Sequence, residues 1–135
     1  MHAPETRTMN REQMTAMFDA FNRHAIDDVM EYFADDVVFD TVSGDEAHGT
    51  RIVGKAAVRD AFVNTWTTMP DVQWAKGEFF FADQRVVSEC TFMATQPNGL
   101  RVEAESVDLF TIEKGKITRK QAFRKQRPAF SVPGA

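Results

Sequence analysis

Apolar side chains recur along this chain with two different periods, and the change from one to the other divides it into halves. In NREQMTAMFDAFNRH, residues 10–24, Met14, Met17, Phe18 and Phe21 fall three or four positions apart, the spacing of one face of an α-helix. Asn10 and Gln13 stand at the separation of a capping box, in which each side chain binds the other's backbone amide, so the helix is expected to start there. In IDDVMEYFADD, Ile26, Val29, Met30 and Phe33 repeat the spacing, with Asp27 as the candidate cap. The β-branched run VVFDTV, 37–42, predicts a short strand. SGDEAHGTRIVG predicts a loop. KAAVRDAFVNTWTT, 55–68, predicts a third helix with Val58, Ala61, Phe62 and Trp66 on one side and Pro70 to stop it.

From residue 72 onward the period shortens to two. VQWAKGEFFFADQRVVSECTFMATQPNGLRVEAESVDLFTIEKGKITRKQAFRKQ holds four long strand-like segments divided by ADQ, QPNG and EKGK. Asn98-Gly99 is the stronger turn signal, because a two-residue hairpin loop of the favoured hand needs positive φ at both positions; Lys114-Gly115 is the weaker one. Connections this short force antiparallel neighbours. A four-stranded meander needs its apolar face covered, and the preceding helices are the cover the chain offers. The expected fold is α+β, in a single domain over 1–135, with an ordered core of about 9–127 and an irregular tail, 128–135, that carries Pro128 and Pro133.

The phase of each strand decides which side chains meet the helices. In residues 100–113, Leu100, Val102, Ala104, Ser106, Asp108, Phe110 and Ile112 share the more apolar face, and Asp108 is its one ionisable member. A carboxyl group alone among such neighbours loses hydration, which favours a neutral, hydrogen-bond-donating form; beside a cation it is an anion. The last strand leaves both states open. Lys120, Ala122 and Arg124 share one phase, Ile117, Arg119, Gln121 and Phe123 the other, and both phases contain apolar residues.

Composition adds a pocket to this picture. Twelve Phe stand against one Tyr and two Trp, with seven Met besides. These rings are either a plain aromatic core or, in part, the lining of an apolar cavity. The net charge of −4 argues against a general nucleic-acid binder, which is usually basic. Cys90 is the single cysteine, has no internal disulfide partner and fits a reducing compartment. MHAPETRTMN has no apolar run of leader length, and no segment reaches the ~20 apolar residues of a membrane span. A cytoplasmic protein with no membrane partner is expected. Three scattered histidines and one cysteine give no metal-ligand spacing, and there is no glycine-rich phosphate loop. Neither a metal nor a cofactor is expected.

The order helix, helix, strand, helix and four antiparallel strands resembles the nuclear-transport-factor-2-like superfamily, and within it the SnoaL-like and ketosteroid-isomerase-like branch. MEYFADDVVFDTV, HGTRIVGKAAVRDAF and VDLFTIEKGKITRKQAF carry the resemblance, over roughly Met9 to Lys125. It implies a curved antiparallel sheet wrapped around three helices as a cone, open at one end as a ligand pocket. Matched on VDLF, Asp108 stands where ketosteroid-isomerase-like enzymes keep a protonated carboxylic acid, and near the acid/base residue of SnoaL-like cyclases. The resemblance further implies that Lys120 and Arg124 point inward and that the Val87 phase of VVSECTFMAT brings Glu89 to the pocket. It also implies a homodimer through the outer face that bears Val107 and Leu109, where exposed apolar residues favour association. At the end of the first strand the isomerases carry an Asp followed by Pro. An ungapped match puts Thr41 there, with Val42 in place of the Pro, so Asp40 reaches the pocket only through a bulge or register shift. The isomerases' tyrosine on the first helix has no counterpart, since Tyr32 lies on the second.

Two functions follow. One is a cofactor-free acid/base enzyme of isomerase, cyclase, dehydratase or hydrolase type, acting on a small, largely apolar substrate. Asp108 is then the acid/base or hydrogen-bond donor, with Asp40, Glu89, Lys120 and the pocket-rim His48 as candidate partners. Met14, Phe18, Phe21, Phe62, Trp66, Phe110 and Arg124 are the candidate substrate-binding residues. The other is a non-catalytic ligand-binding or protein-interaction module on the same cone.

Overall fold

The capping box is formed in the computed structural model, which describes residues 8–133: the Gln13 amide donates to Asn10 Oδ1 at 2.8 Å and the Asn10 amide to Gln13 Oε1 at 2.9 Å. From it runs α1, Arg11–Asn22, with Met14, Met17, Phe18 and Phe21 buried. Residues 1–7 of the stretch read for a leader, and tail residues 134 and 135, lie outside the described residues. Helix α2 is only Ile26–Met30, and Ala25 rather than Asp27 holds its N-cap position, with no side-chain bond. Phe33 has left the helix to open strand β1, Phe33–Asp40, where it pairs with Ile117. Within the expected loop, β2, Arg51–Val53, pairs antiparallel with β1. Helix α3 spans Lys55–Thr68 as predicted and buries Val58, Phe62 and Trp66.

The period-two half forms β3 (Gln73–Ala82), β4 (Arg85–Thr95), β5 (Arg101–Glu113) and β6 (Lys116–Arg124), an antiparallel meander. The sheet has six strands in the order β2-β1-β6-β5-β4-β3, and it is mixed, because β1 runs parallel to β6. It is not closed, and with its three helices it makes the α+β cone. The buried side chains of α1, α2 and α3 join those of the sheet in one aromatic-rich cluster. Beyond β6 the tail is irregular apart from one bridge, in which Phe130 and Arg101 exchange backbone hydrogen bonds of 2.7 and 3.0 Å.

Two local features depart from the simplest reading. Lys114 and Gly115, the weaker turn signal, have φ of 54° and 78° and make the tight two-residue turn. At Asn98-Gly99 only Gly99 is positive, at 86°, and the loop spans Gln96 to Leu100. Pro97 explains this, since its fixed φ suits the first corner of a wider turn. The second feature is a bulge in β6. Thr111 pairs with Arg119 but Ile112 pairs with Ile117, so Thr118 is an extra residue. A bulge reverses the phase of everything beyond it. Ile117 faces the core before it and Lys120 after it, and both are buried.

Candidate functional site

Strand pairing lays three inward-facing rows across the middle of the sheet. Val86, Phe110 and Lys120 form the row nearest the core, Ser88, Asp108 and Ala122 the next, and Cys90, Ser106 and Arg124 the third. Between these rows and the helices lies a cavity of about 300 Å³. Phe21 from α1, Phe39 from β1, Phe62 from α3, Trp74 from β3 and Phe92 from β4 supply its aromatic walls, and its ionisable groups are Asp108, Lys120 and Arg124. Trp74 is fixed to the end of α1: its amide donates to Asn22 Oδ1 at 2.8 Å, and Asn22 Nδ2 donates to its carbonyl at 3.0 Å.

Lys120 Nζ donates to Asp108 Oδ1 at 3.3 Å, and the two side chains are 7 % and 2 % exposed. The ammonium lies 4.6 Å from the ring centroid of Phe39 and 5.8, 5.8 and 6.0 Å from those of Phe62, Phe110 and Phe21. Ring faces carry partial negative charge, so these neighbours hold the cation while keeping water from it. Asp108 Oδ2 and Ser88 Oγ, opposite it on β4, are buried with no hydrogen-bond partner among the described residues. Asp108 therefore has one oxygen engaged by a cation and one uncommitted.

Arg124 is half-buried, its guanidinium 3.8 Å over the Phe92 ring and its Nε buried without a hydrogen-bond partner. Loss of hydration lowers its pKa from the ordinary arginine value, opposed by the charge of Asp108. In the same row, burial above all, with the Asp108 charge added, pushes the Cys90 thiol up to about 12. Cys90 is thus a neutral packing residue at physiological pH.

Of the residues singled out in the sequence, the structure brings Asp108, Lys120, Arg124, Phe21 and Phe62 together at the cavity. Glu89 is not there. The buried phase of β4 is Val86, Ser88, Cys90, Phe92 and Ala94, which leaves Glu89 exposed on the outer face. Nor is Asp40. Strand β1 does carry a register shift against β6, between Phe33 and Val38, yet it leaves Phe39 and Thr41 lining the cavity and turns Asp40 to the other side. There Asp40 accepts from Arg51 at 2.8 and 3.0 Å and from Arg119 at 2.9 and 3.3 Å. The Arg51 bonds foremost, then those of Arg119, hold its carboxyl below the usual carboxylate range, so it is a structural anion. His48 lines a separate depression with Arg51, Arg119 and Phe123. Met14, Phe18, Trp66 and Phe110 belong to the packed core and do not line the cavity: Phe110 is fully buried against Phe18, and Trp66 stacks on His24 at 5.0 Å.

Phe39, Met69, Trp74 and Phe92 also line the cavity, as does Ser106 on the inward phase of Asp108, and none of these five stood among the candidate site residues. Phe92 and Ser106 were within reach of strand phase. Met69 and Trp74 follow from where α3 ends and how β3 curves, which periodicity does not encode. Among the described residues no cluster of His, Cys, Asp and Glu is arranged to hold a metal ion, and no described helix is long and apolar enough to cross a membrane.

The open mixed sheet and three helices make a nuclear-transport-factor-2-like fold. The chain belongs to the SnoaL-like domain family, whose model matches residues 14–120. It is similar to a Xanthomonas campestris protein assigned as a polyketide cyclase, with 22% identity, coverage of 84% of this chain and 88% of that one, and a TM-score of 0.74. It is also similar to a nuclear-transport-factor-2-like protein of unknown function from Burkholderia pseudomallei, at 22% identity, 84% and 88% coverage and a TM-score of 0.72. TerC, co-crystallised with polyporic acid, shares 22% identity over 84% of this chain and 89% of its own, with a TM-score of 0.71. No curated protein matches the chain.

Proposed function

We propose that the cavity binds a small, largely apolar molecule and that Asp108 moves a proton on it without a cofactor, in a reaction of isomerase, cyclase, dehydratase or hydrolase type. The observation that carries this reading is the Asp108–Lys120 pair at an apolar cavity, with Asp108 Oδ2 free of protein partners. A buried ion pair is often no more stabilising than well-packed apolar residues in its place. Packing alone gives no reason for it; proton transfer does.

A carbon acid next to a carbonyl gives its proton to Asp108 Oδ2, and the C–H electron pair moves onto the carbonyl oxygen as an enolate. Negative charge leaves Asp108 as it appears on the substrate, while Lys120 remains the neighbouring cation throughout, so no net charge enters or leaves the site. Return of the proton at another carbon gives an isomer; attack of the enolate carbon on a second carbonyl within the molecule gives a ring, and the alkoxide so formed takes the proton back from Asp108. The SnoaL-like family membership, the polyketide cyclase assignment of one similar structure and the polyporic acid held by another all support a small organic ligand in this cavity.

The working unit in this proposal is a homodimer joined through the outer face of the sheet. Pairing aligns Phe80, Val87 and Leu109 there, with Val107 and Phe123 alongside, and Phe80 and Phe123 are each 51% exposed. The lone, buried Cys90 fits a cytoplasmic setting. The catalytic reading is tested by incubating the protein in D2O with small enolisable ketones and β-dicarbonyls and following deuterium entry by NMR. Incorporation above the buffer rate is expected for at least one of them. Binding across the set with no incorporation would instead favour the non-catalytic module.

A further inference from the structure

The charges lining the cavity do not cancel. Asp108 is the one acid among its described residues, and Lys120 and Arg124 are two bases, in a chain whose net charge is −4. Asp108 engages Lys120 and leaves Arg124 over. Arg23, Arg51, Arg59, Arg101 and Arg119 each meet a carboxylate, Arg11 and Arg127 donate to backbone carbonyls, and Arg85 is exposed to solvent. Arg124 meets no carboxylate among the described residues, and its Nε is buried with no hydrogen-bond partner.

Its position is nonetheless well defined. Arg124 pairs with Ser106 across the β5–β6 ladder and lies on the Phe92 ring. The Ser106 hydroxyl is occupied, donating to the Phe123 carbonyl at 2.9 Å, so it does not compete for an incoming group. A guanidinium presents a rigid planar fork of N–H donors that matches a carboxylate, and stacking on a ring leaves the edges of that fork open. A partly desolvated cation with one donor buried and unpartnered is unfavourable, and an anion arriving at the open edge of the fork offsets the lost hydration.

We propose that Arg124 is the receptor for a carboxylate on the ligand, and that the substrate class is a small carboxylic acid with a flat apolar body. The reacting end of this assignment rests on the proton-transfer reading above; the binding end does not. The Asp108 and Arg124 rows are two residues apart, about 6.8 Å along the strands. With its carboxylate on Arg124, such a ligand lies between the aromatic walls and extends inward to Asp108 and Lys120. Its charge brings the sum at the cavity to zero.

The test is calorimetric titration of the full chain with aryl carboxylates from benzoate to 4-phenylbutyrate and, in parallel, with their primary amides. At least one acid is expected to bind about ten- to a hundred-fold more tightly than its amide, the range of a charge-assisted hydrogen bond. Arg124→Gln should make acid and amide equal. Arg124→Lys, which keeps the charge but not the fork, should retain part of the preference. The inference is overturned if no acid binds, if acid and amide bind the wild-type protein alike, or if folded Arg124→Gln keeps the preference. Should Arg124→Gln fail to fold, Arg124→Lys decides: an undiminished preference overturns the assignment. Carboxylates bound through Arg124 with no deuterium entering any ligand would leave this receptor standing and remove the proton-transfer reading alone.

Discussion

Replacing Lys120 by Met asks how firmly the buried pair is coupled. The aliphatic stem is preserved and the ammonium is lost, which strands the Asp108 carboxylate at 2 % exposure with Oδ2 already lacking a partner. Breaking a buried pair from one side costs about 3–5 kcal/mol. Here the loss should fall in that range, because the stranded carboxylate is almost fully shielded from water. That is a large share of the roughly 5–15 kcal/mol by which a domain of this kind is stable. Replacing both partners, Asp108→Leu with Lys120→Met, removes the charge that is left unpaired and should restore stability to within about 1 kcal/mol of wild type or raise it. Urea unfolding of wild type, both single variants and the double variant completes the cycle. Additive single losses, with the double variant the least stable of the four, would refute the coupling. A double variant that is stable yet inactive is the expected outcome if the pair exists for chemistry.

Asp40→Asn should destabilise the fold by about 1–3 kcal/mol at neutral pH; Arg51 and Arg119 are partly exposed and rehydrate when released, which limits the loss. Because the folded pKa of Asp40 is depressed, its contribution is complete above the unfolded value of about 3.9 and disappears as pH falls through the folded one. The gap between wild type and Asp40→Asn in unfolding experiments should therefore be constant from pH 5 to 8 and close in acid. Cys90, with its thiol pushed up to about 12, should resist thiol reagents at pH 8 until the protein is unfolded. Phe123→Glu, on the outer face, should convert a dimer to a species near the 15.3 kDa monomer in sedimentation at micromolar concentration; a wild type that already sediments as a monomer would remove the dimer from the account.

Much of the architecture was legible because local signals agreed. The capping box placed the start of α1, the apolar stripe of α3 matched its full length, and strand alternation put Asp108 on the buried face of β5. What stayed hidden was set by irregularities and by pairing partners. One extra residue, Thr118, inverts the phase of β6, so the alternation read across it gives contradictory answers for Ile117 and Lys120. β1 is parallel to β6, a long-range choice with no local signature. Glu89 was misplaced because a register borrowed from a resemblance outweighed the run Ser88, Cys90, Phe92 and Ala94, whose burial follows from the phase of Asp108 through direct pairing. For Asp40 and Thr41, the ungapped match pointed to the residue that lines the cavity. The resemblance put Lys120 inward, where it lies, but alternation could not choose between a lone and a paired Asp108, since the ammonium reaches it across a hairpin that contains the bulge.

Whether Asp108 is the base is read from the rate of deuterium entry into a bound carbon acid for wild type and Asp108→Asn, compared at saturating ligand with fold verified by circular dichroism. A positioned general base contributes about 10²–10⁴-fold, so Asp108→Asn should bind the ligand and exchange its proton at least about a hundredfold more slowly. Exchange at the wild-type rate in a folded, ligand-bound Asp108→Asn would show that the proton goes elsewhere.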